Sequence, residues 1–174
     1  MVRSTDSMPQ LPSIHIRDVT LADLDALTAL RPPRTLHAER IAPQTDDADK
    51  RYLLALLDTR PVGFGVIYFR GDPMWDRPDQ VPLIMDLWVA PPHRRRGIGR
   101  RLAESLESAA RARGFSCCYL QVRAERNPQV IAMYQRMGYQ KLQQRPYRDV
   151  YAEVDEQGNV REGKEMILDM QKWL

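Results

Sequence analysis

Apolar positions along the chain change their period several times, and each change marks an element. Ile14, Ile16 and Val19 alternate imperfectly and predict a first strand. Thr20 follows as a helix cap with Asp23 at the capping-box position, and Leu21, Leu24, Leu27 and Leu30 recur at three-residue steps. Pro32 and Pro33 stop that helix. Residues 34–50 are polar, with a short helical turn around 37–41. Two apolar runs, 52–57 and 62–69, flank Asp58, Thr59, Arg60 and Pro61 and read as an antiparallel hairpin. Gly63 and Gly65 loosen its second strand, and residues 70–80 form a loop. Residues 81–89 predict another strand, with Leu83, Met85 and Leu87 on one side and Ile84, Asp86 and Trp88 on the other unless a bulge intervenes.

After Pro91 and Pro92 the period lengthens. Residues 97–113 predict a helix with Ile98, Leu102, Leu106 and Ala109 on its packed face. Arg100, Arg101, Glu104, Glu107, Arg111 and Arg113 fall on its outer face, and Gly114 closes it. A strand at 117–122 and a helix at 128–137 come next, the helix bringing Val130, Ile131, Tyr134 and Met137 onto neighbouring rows before Gly138. Two last strands, 139–144 and 165–170, are expected on either side of a polar connection that holds Tyr147, Tyr151 and Asp155. The element order predicts a mixed α/β (α+β) fold with a mostly antiparallel central sheet flanked by helices.

Composition narrows this picture. The 174 residues suit one domain, expected over 14–174 behind a flexible tail at 1–13, with roughly two thirds of the unfolded surface buried on folding. With 43% hydrophobic and 28% charged residues and no apolar run near ~20 residues, neither disorder nor a helical membrane protein is expected. The first 13 residues lack the apolar core of a secretory signal, so a cytoplasmic location is the expectation. Cys117 and Cys118 are adjacent on one strand and point to opposite faces, which suits neither a structural disulfide nor a metal site.

A formal charge of +3 does not require nucleic acid as a partner. Its distribution is more informative: residues 92–114 hold seven arginines and His93 against two glutamates. Within them, Arg94, Arg95, Arg96, Gly97, Ile98, Gly99 and Arg100 span a strand's end and a helix's start. The first N–H groups of a helix have no intrahelical acceptor, and glycines leave room for a phosphate to approach them. The alternative is a solvated arginine patch. The turn lacks both the third glycine of a dinucleotide loop and the Gly-Lys-Ser/Thr of a P-loop.

Arg94, Gly97 and Gly99, followed by Asn127, Ala132, Tyr134, Gly138 and Tyr139, resemble in identity and order the core of the GCN5-related N-acetyltransferase (GNAT) superfamily. The resemblance covers about a third of the chain, residues 86–142. It implies an acyl-CoA N-acyltransferase fold, with acetyl-CoA as cosubstrate and no metal. It also implies that the pyrophosphate rests on the turn from Arg95 to Arg100 and the pantetheine runs beside Leu87, Trp88 and Val89, between two strands that splay apart. Asn127, Ala132 and Tyr134 would complete that site.

Tyr134 fits the proton donor to the departing sulfur, against the alternative of a core tyrosine. Asp86, the one acid within its strand, fits either the general base or a structural hydrogen-bonding role. Asn127 would hold a water or the local connection, and a backbone N–H such as that of Trp88 would polarise the thioester. The acceptor is an amine of a small molecule or peptide, met by segments 33–50, 72–80 and 147–155, whose Asp and aromatic residues suit a cation, the alternative for most of them being ordinary solvated acidic loops. A non-catalytic acyl-CoA-binding regulatory module is the competing class. Nucleic-acid binding trails both, since no aromatic residues are interleaved with the arginines. A terminal strand around 166–170 offers an edge for a homodimer.

Overall fold

The computed structural model describes residues 13–41, 49–70, 81–125, 128–154 and 160–174. Strand β1 (Ile14–Asp18) leads through a 3-10 turn at Leu21–Asp23 into α1 (Leu24–Leu30). The Asp23 carboxylate accepts the Thr20 N–H at 2.8 Å, so the expected capping box forms. Helix α2 (Arg34–Ile41) is two turns long where the sequence suggested one turn, and two of its polar residues, His37 and Arg40, are buried. Strands β2 (Lys50–Leu57) and β3 (Arg60–Tyr68) form the expected hairpin, with the turn tightened to Asp58 and Thr59. Then come β4 (Leu83–Val89), α3 (Ile98–Ala112), β5 (Cys117–Arg123), α4 (Pro128–Arg136), β6 (Gln140–Lys141), β7 (Tyr147–Val154) and β8 (Val160–Trp173).

All eight strands join one sheet in the order β1-β2-β3-β4-β5-β8-β6, with β7 also on β8. Among the described residues only β4 and β5 run parallel, and every other pairing is antiparallel. The expected strand at 139–144 contracts to Gln140 and Lys141. The stretch expected to be a polar connection is instead strand β7, which pairs from Tyr147↔Ile167 to Val154↔Val160. Its register explains the difference: β8 extends far beyond 165–170, and its first half supplies a full set of backbone partners to residues whose apolar positions do not alternate strictly.

Each face of the sheet carries a core. Leu102, Leu106, Ala109 and Ala110 of α3 pack with Ile84, Leu120, Val122, Tyr134 and Leu168 on one face. On the other, Leu27 and Ile41 pack against Tyr52, Leu54, Phe64 and Val66, with Met85 and Trp88 at the margin. Helix α3 departs from its predicted pattern at Glu107, which is 2% exposed rather than on the outer face. It is ion-paired with Lys172 of β8 at 2.6 Å, so the helix is tied to the strand beyond β5. Among the described residues no helix is long and apolar enough to cross a membrane.

An unpaired buried carboxylate is far more costly than a neutral isostere. Lys172→Met is therefore expected to destabilise the protein by about 3–5 kcal/mol in urea unfolding, with Glu107→Gln in the same chain restoring a large part. Equal destabilisation in the single and double variants would contradict the pairing.

Candidate functional site

Strands β4 and β5 pair only at Leu83↔Tyr119 and Ile84↔Leu120. Beyond those two pairs β4 continues to Val89 and β5 to Arg123 without partnering each other, so the sheet parts between them. A bulge on the other edge of β4 accompanies the parting. Gly65 of β3 lies opposite two residues, Asp86 and Leu87, because pairing resumes at Phe64↔Trp88 after Val66↔Met85. Asp86 takes φ 45 to form it. The expected alternation therefore fails at this residue: Leu87 packs with α3, whereas Met85 and Trp88 both pack toward α1 and α2.

The bulge also fixes where the backbone donors of β4 point. Ala90 N–H reaches the Val62 carbonyl at 2.8 Å, and hydrogen-bonded pairs alternate along an antiparallel ladder. Phe64 and Trp88 are thus a hydrogen-bonded pair, and the Trp88 N–H faces β3. The donors of Leu87 and Val89 lie on the opposite edge, toward the gap. Trp88 itself stacks on Phe64, ring centroids 5.5 Å apart. Gly63 keeps β3 close enough for this pairing, since a Cβ there would stand 2.7 Å from the Trp88 carbonyl oxygen.

At the end of β4 the chain turns through Pro91–His93 into α3. Arg94 folds back, its Nε donating to the Val89 carbonyl at 2.9 Å. Arg95 (φ 62) and Gly97 (φ 78) are both left-handed. The first backbone bond of the helix runs from Arg101 N–H to the Gly97 carbonyl at 3.0 Å, so the N–H groups from Gly97 to Arg100 precede the intrahelical ladder. A Cβ at Gly99 would meet only Val89 and Leu87 at ordinary contact distance, which leaves this approach open. Arg95, Arg96 and Arg100 are exposed around it, Arg100 in an i,i+4 pair with Glu104 at 2.7 Å, while Ile98 is buried beneath. The turn thus offers backbone donors, helix-dipole charge and arginines at one end of the gap, a set that fits the diphosphate of a CoA.

Tyr134 of α4 is 5% exposed, in the core that includes Ile84 and Leu120, where the two strands last pair. Its ring lies edge-on to Tyr139, centroids 5.3 Å apart, and the Tyr139 hydroxyl is 3.4 Å from the Cys118 sulfur. Burial, reinforced by the Glu107 charge, raises the Tyr134 phenol pKa, so the hydroxyl keeps its proton. Burial likewise raises the Cys118 thiol to about 11. Both cysteines are free. Ala132 is half-buried on α4, and Asn127 lies outside the described residues, as do Trp75, Asp46, Asp47, Asp72, Asp76, Asp79 and Asp155 of the expected acceptor segments. Among the described residues no group of His, Cys, Asp or Glu is placed to hold a metal ion.

Sequence reasoning missed the surroundings of Asp86. Arg40 of α2 donates through Nη2 to Asp86 Oδ2, and Arg31 Nη1 stands 3.6 Å from Oδ1. Burial alone would raise the Asp86 pKa, but the Arg40 guanidinium outweighs it and the net shift is downward. His37 joins α1 to this group. Its Nε2–H donates to the Arg31 carbonyl at 2.5 Å, and its Nδ1 accepts the Tyr52 hydroxyl at 2.7 Å. Burial lowers its pKa, which keeps the ring neutral. The one available signal was Asp86 itself, since an acid among apolar strand residues calls for a cation.

The family profile for acetyltransferase (GNAT) matches residues 19–139, more than half of the chain, and the chain belongs to that family. Solved structures of the same fold include the ribosomal-protein-S18-alanine N-acetyltransferase of Escherichia coli, with TM-score 0.67 and 21% identity over 92% of this chain and 94% of that one. The PaiA N-acetyltransferase of Thermoplasma acidophilum, solved with coenzyme A, gives TM-score 0.64 and 17% identity over 93% and 99%. The ribosomal-protein-alanine N-acetyltransferase of Brucella melitensis gives 0.66 and 22% over 92% and 99%. No curated protein matches the chain at the sequence level.

Because the folded-state pKa of Asp86 is depressed, its ion pair stabilises the protein above the unfolded carboxylate value of about 3.9 and is lost as pH falls through the folded value. Asp86→Asn should accordingly lower the urea midpoint markedly at pH 7 and nearly as much at pH 5. The gap to wild type should narrow below about pH 4. A gap that does not change with pH would contradict the ion pair.

Proposed function

We propose that the protein is an acetyl-CoA-dependent N-acetyltransferase that passes the acetyl group directly to a primary amine of a small molecule or peptide. The observation that carries this reading is the parting of β4 from β5 beside the donor-rich start of α3. One end of the gap suits a diphosphate, and its wall is a strand edge to which a pantetheine amide can add hydrogen bonds.

In this reading the thioester carbonyl sits against the N–H of Leu87 or Val89, whose donor is fixed in place before the negative oxygen develops. A free amine attacks the carbonyl carbon, the tetrahedral intermediate collapses, and the C–S bond breaks. The Tyr134 hydroxyl, which burial keeps protonated, gives its proton to the departing sulfur. The phenolate regains a proton from solvent, and the amine, with a pKa of about 10, loses one proton to water before attack and a second from its nitrogen as the amide forms.

Asp86 supports this chemistry through its ion pair, holding the bulge that aims the backbone donors. With its proton affinity lowered by Arg40 it is a weak acceptor for the amine proton. Asn127 is assigned to the connection between β5 and α4, where it would order a water. Cys118 takes no part, since a thiol raised to about 11 is not a nucleophile at neutral pH.

A thiol-release assay with acetyl-CoA over a panel of amines tests the reading. Tyr134→Phe is expected to lower kcat by roughly 100-fold with the KM for acetyl-CoA within a few fold of wild type. Replacing both cysteines by alanine should leave turnover nearly unchanged. Full activity of Tyr134→Phe, or a trapped acyl-cysteine, would overturn the assigned roles. CoA binding without thiol release from any amine would favour a regulatory module.

A further inference from the structure

Among the described residues the charges around the bulge do not balance. Asp86 is the carboxylate that faces the two guanidinium groups of Arg40 and Arg31. Arg40 matches it: the pair is close, and Arg40 is 6% exposed. Its Nε and Nη1 are buried without any hydrogen-bond acceptor among the described residues. Among the described residues Arg31 is then a second cation with no anion of its own. It stands 3.6 Å from Asp86, longer than a hydrogen bond, and its side chain is 35% exposed, so it lies at the open side of the cluster. The third arginine acting on Asp86, Arg123 of β5, is already satisfied by Glu165 at 2.6 Å. His37 adds no charge of either sign, being neutral and bonded at both nitrogens.

This excess sits at a particular place. Asp86 is the residue at which β4 bulges, two positions beyond the last β4–β5 pair, and Arg31 and Arg40 approach it from the α1 and α2 face, opposite the α3 face. An acceptor that reaches the thioester from the α1 and α2 face would find Arg31 the more exposed of the two arginines. A purely cationic acceptor would be repelled there, whereas a carboxylate would supply the anion that Arg31 lacks and would be bound by charge-assisted hydrogen bonds.

We propose that the acceptor carries a carboxylate as well as the reacting amine, and that Arg31, backed by Arg40, is the residue that selects it. The acidic loops of the sequence suggested the opposite charge preference. This inference rests on the N-acetyltransferase reading, and it deepens that reading by naming the acceptor's second functional group. Arg31 recognises substrate, while Arg40 acts through Asp86, whose charge it neutralises so that Arg31 is left over.

The test uses matched acceptors that differ only in charge: glycine, 3-aminopropanoate, 4-aminobutyrate and lysine, each beside its carboxamide. With wild-type protein and saturating acetyl-CoA, the best carboxylate is expected to exceed its carboxamide at least tenfold in kcat/KM, chiefly through KM. Arg31→Gln should remove that preference by raising KM for the carboxylate far more than for its carboxamide.

Carboxamides that serve as well as carboxylates, or an Arg31→Gln loss equal for both, would overturn the proposal. If no amine is acetylated, the N-acetyltransferase reading fails separately. Calorimetric titration of the CoA-loaded protein with the same pairs then decides the subsite. Carboxylate binding that Arg31→Gln abolishes supports it, and the absence of any carboxylate preference refutes it.

Discussion

Two neighbouring parallel strands ordinarily zip together along their length, because each unpaired peptide group left in the interior is costly. Here β4 and β5 stay paired for only two residues and then diverge, and the rest of the architecture can be understood as what permits that divergence. β5 remains anchored through β8, which pairs with it from Cys117 to Arg123. On its far side β4 remains anchored to β3, with a bulge at Asp86 that turns the strand as the gap opens. Helix α3 packs across the same face and is fixed to β8 through the buried Glu107–Lys172 pair, so both walls share a rigid floor.

Asp86 links the two faces of the sheet. Its left-handed backbone makes the bulge, and its carboxylate reaches α2 through Arg40 and the end of α1 through Arg31. A residue at φ 45 without glycine's freedom is strained, and such strain persists only where surrounding contacts over-determine it. The ion pair supplies that constraint on one side. On the other, Leu87 packs into the α3 core, where a Cβ on Gly65 would lie only 2.9 Å from its Cδ1. The donors that face the gap and the arginines that face the α1 side are therefore set by one residue pair, Asp86 and Leu87.

The sequence made the elements on either side of this site legible because their signals are local. Ile98, Leu102, Leu106 and Ala109 do form the buried face of α3, Gly114 does close it with a positive φ, and the strand before it does end, at Val89, just ahead of Pro91. What stayed hidden depends on pairing between distant segments. The bulge depends on which residue of β3 faces which residue of β4. β7 exists because β8 is long enough to pair with it, and Glu107 is buried because Lys172 meets it from a strand 65 positions away. Arg40 was obscured for the same reason: within a polar segment a buried arginine looks like a solvated one until its partner, 46 residues on, is known.

The central claim is that the gap between β4 and β5 and the start of α3 form one acyl-CoA site. Hydrogen exchange of the backbone amides, compared with and without coenzyme A, tests it most directly, because the proposed contacts are largely to those amides. The account predicts slowed exchange confined mainly to Leu87, Val89 and the turn from Arg95 to Arg100, with the β1 and β2 amides unchanged. Coenzyme A that binds without slowing exchange at these positions, or that protects a different part of the sheet, would contradict it.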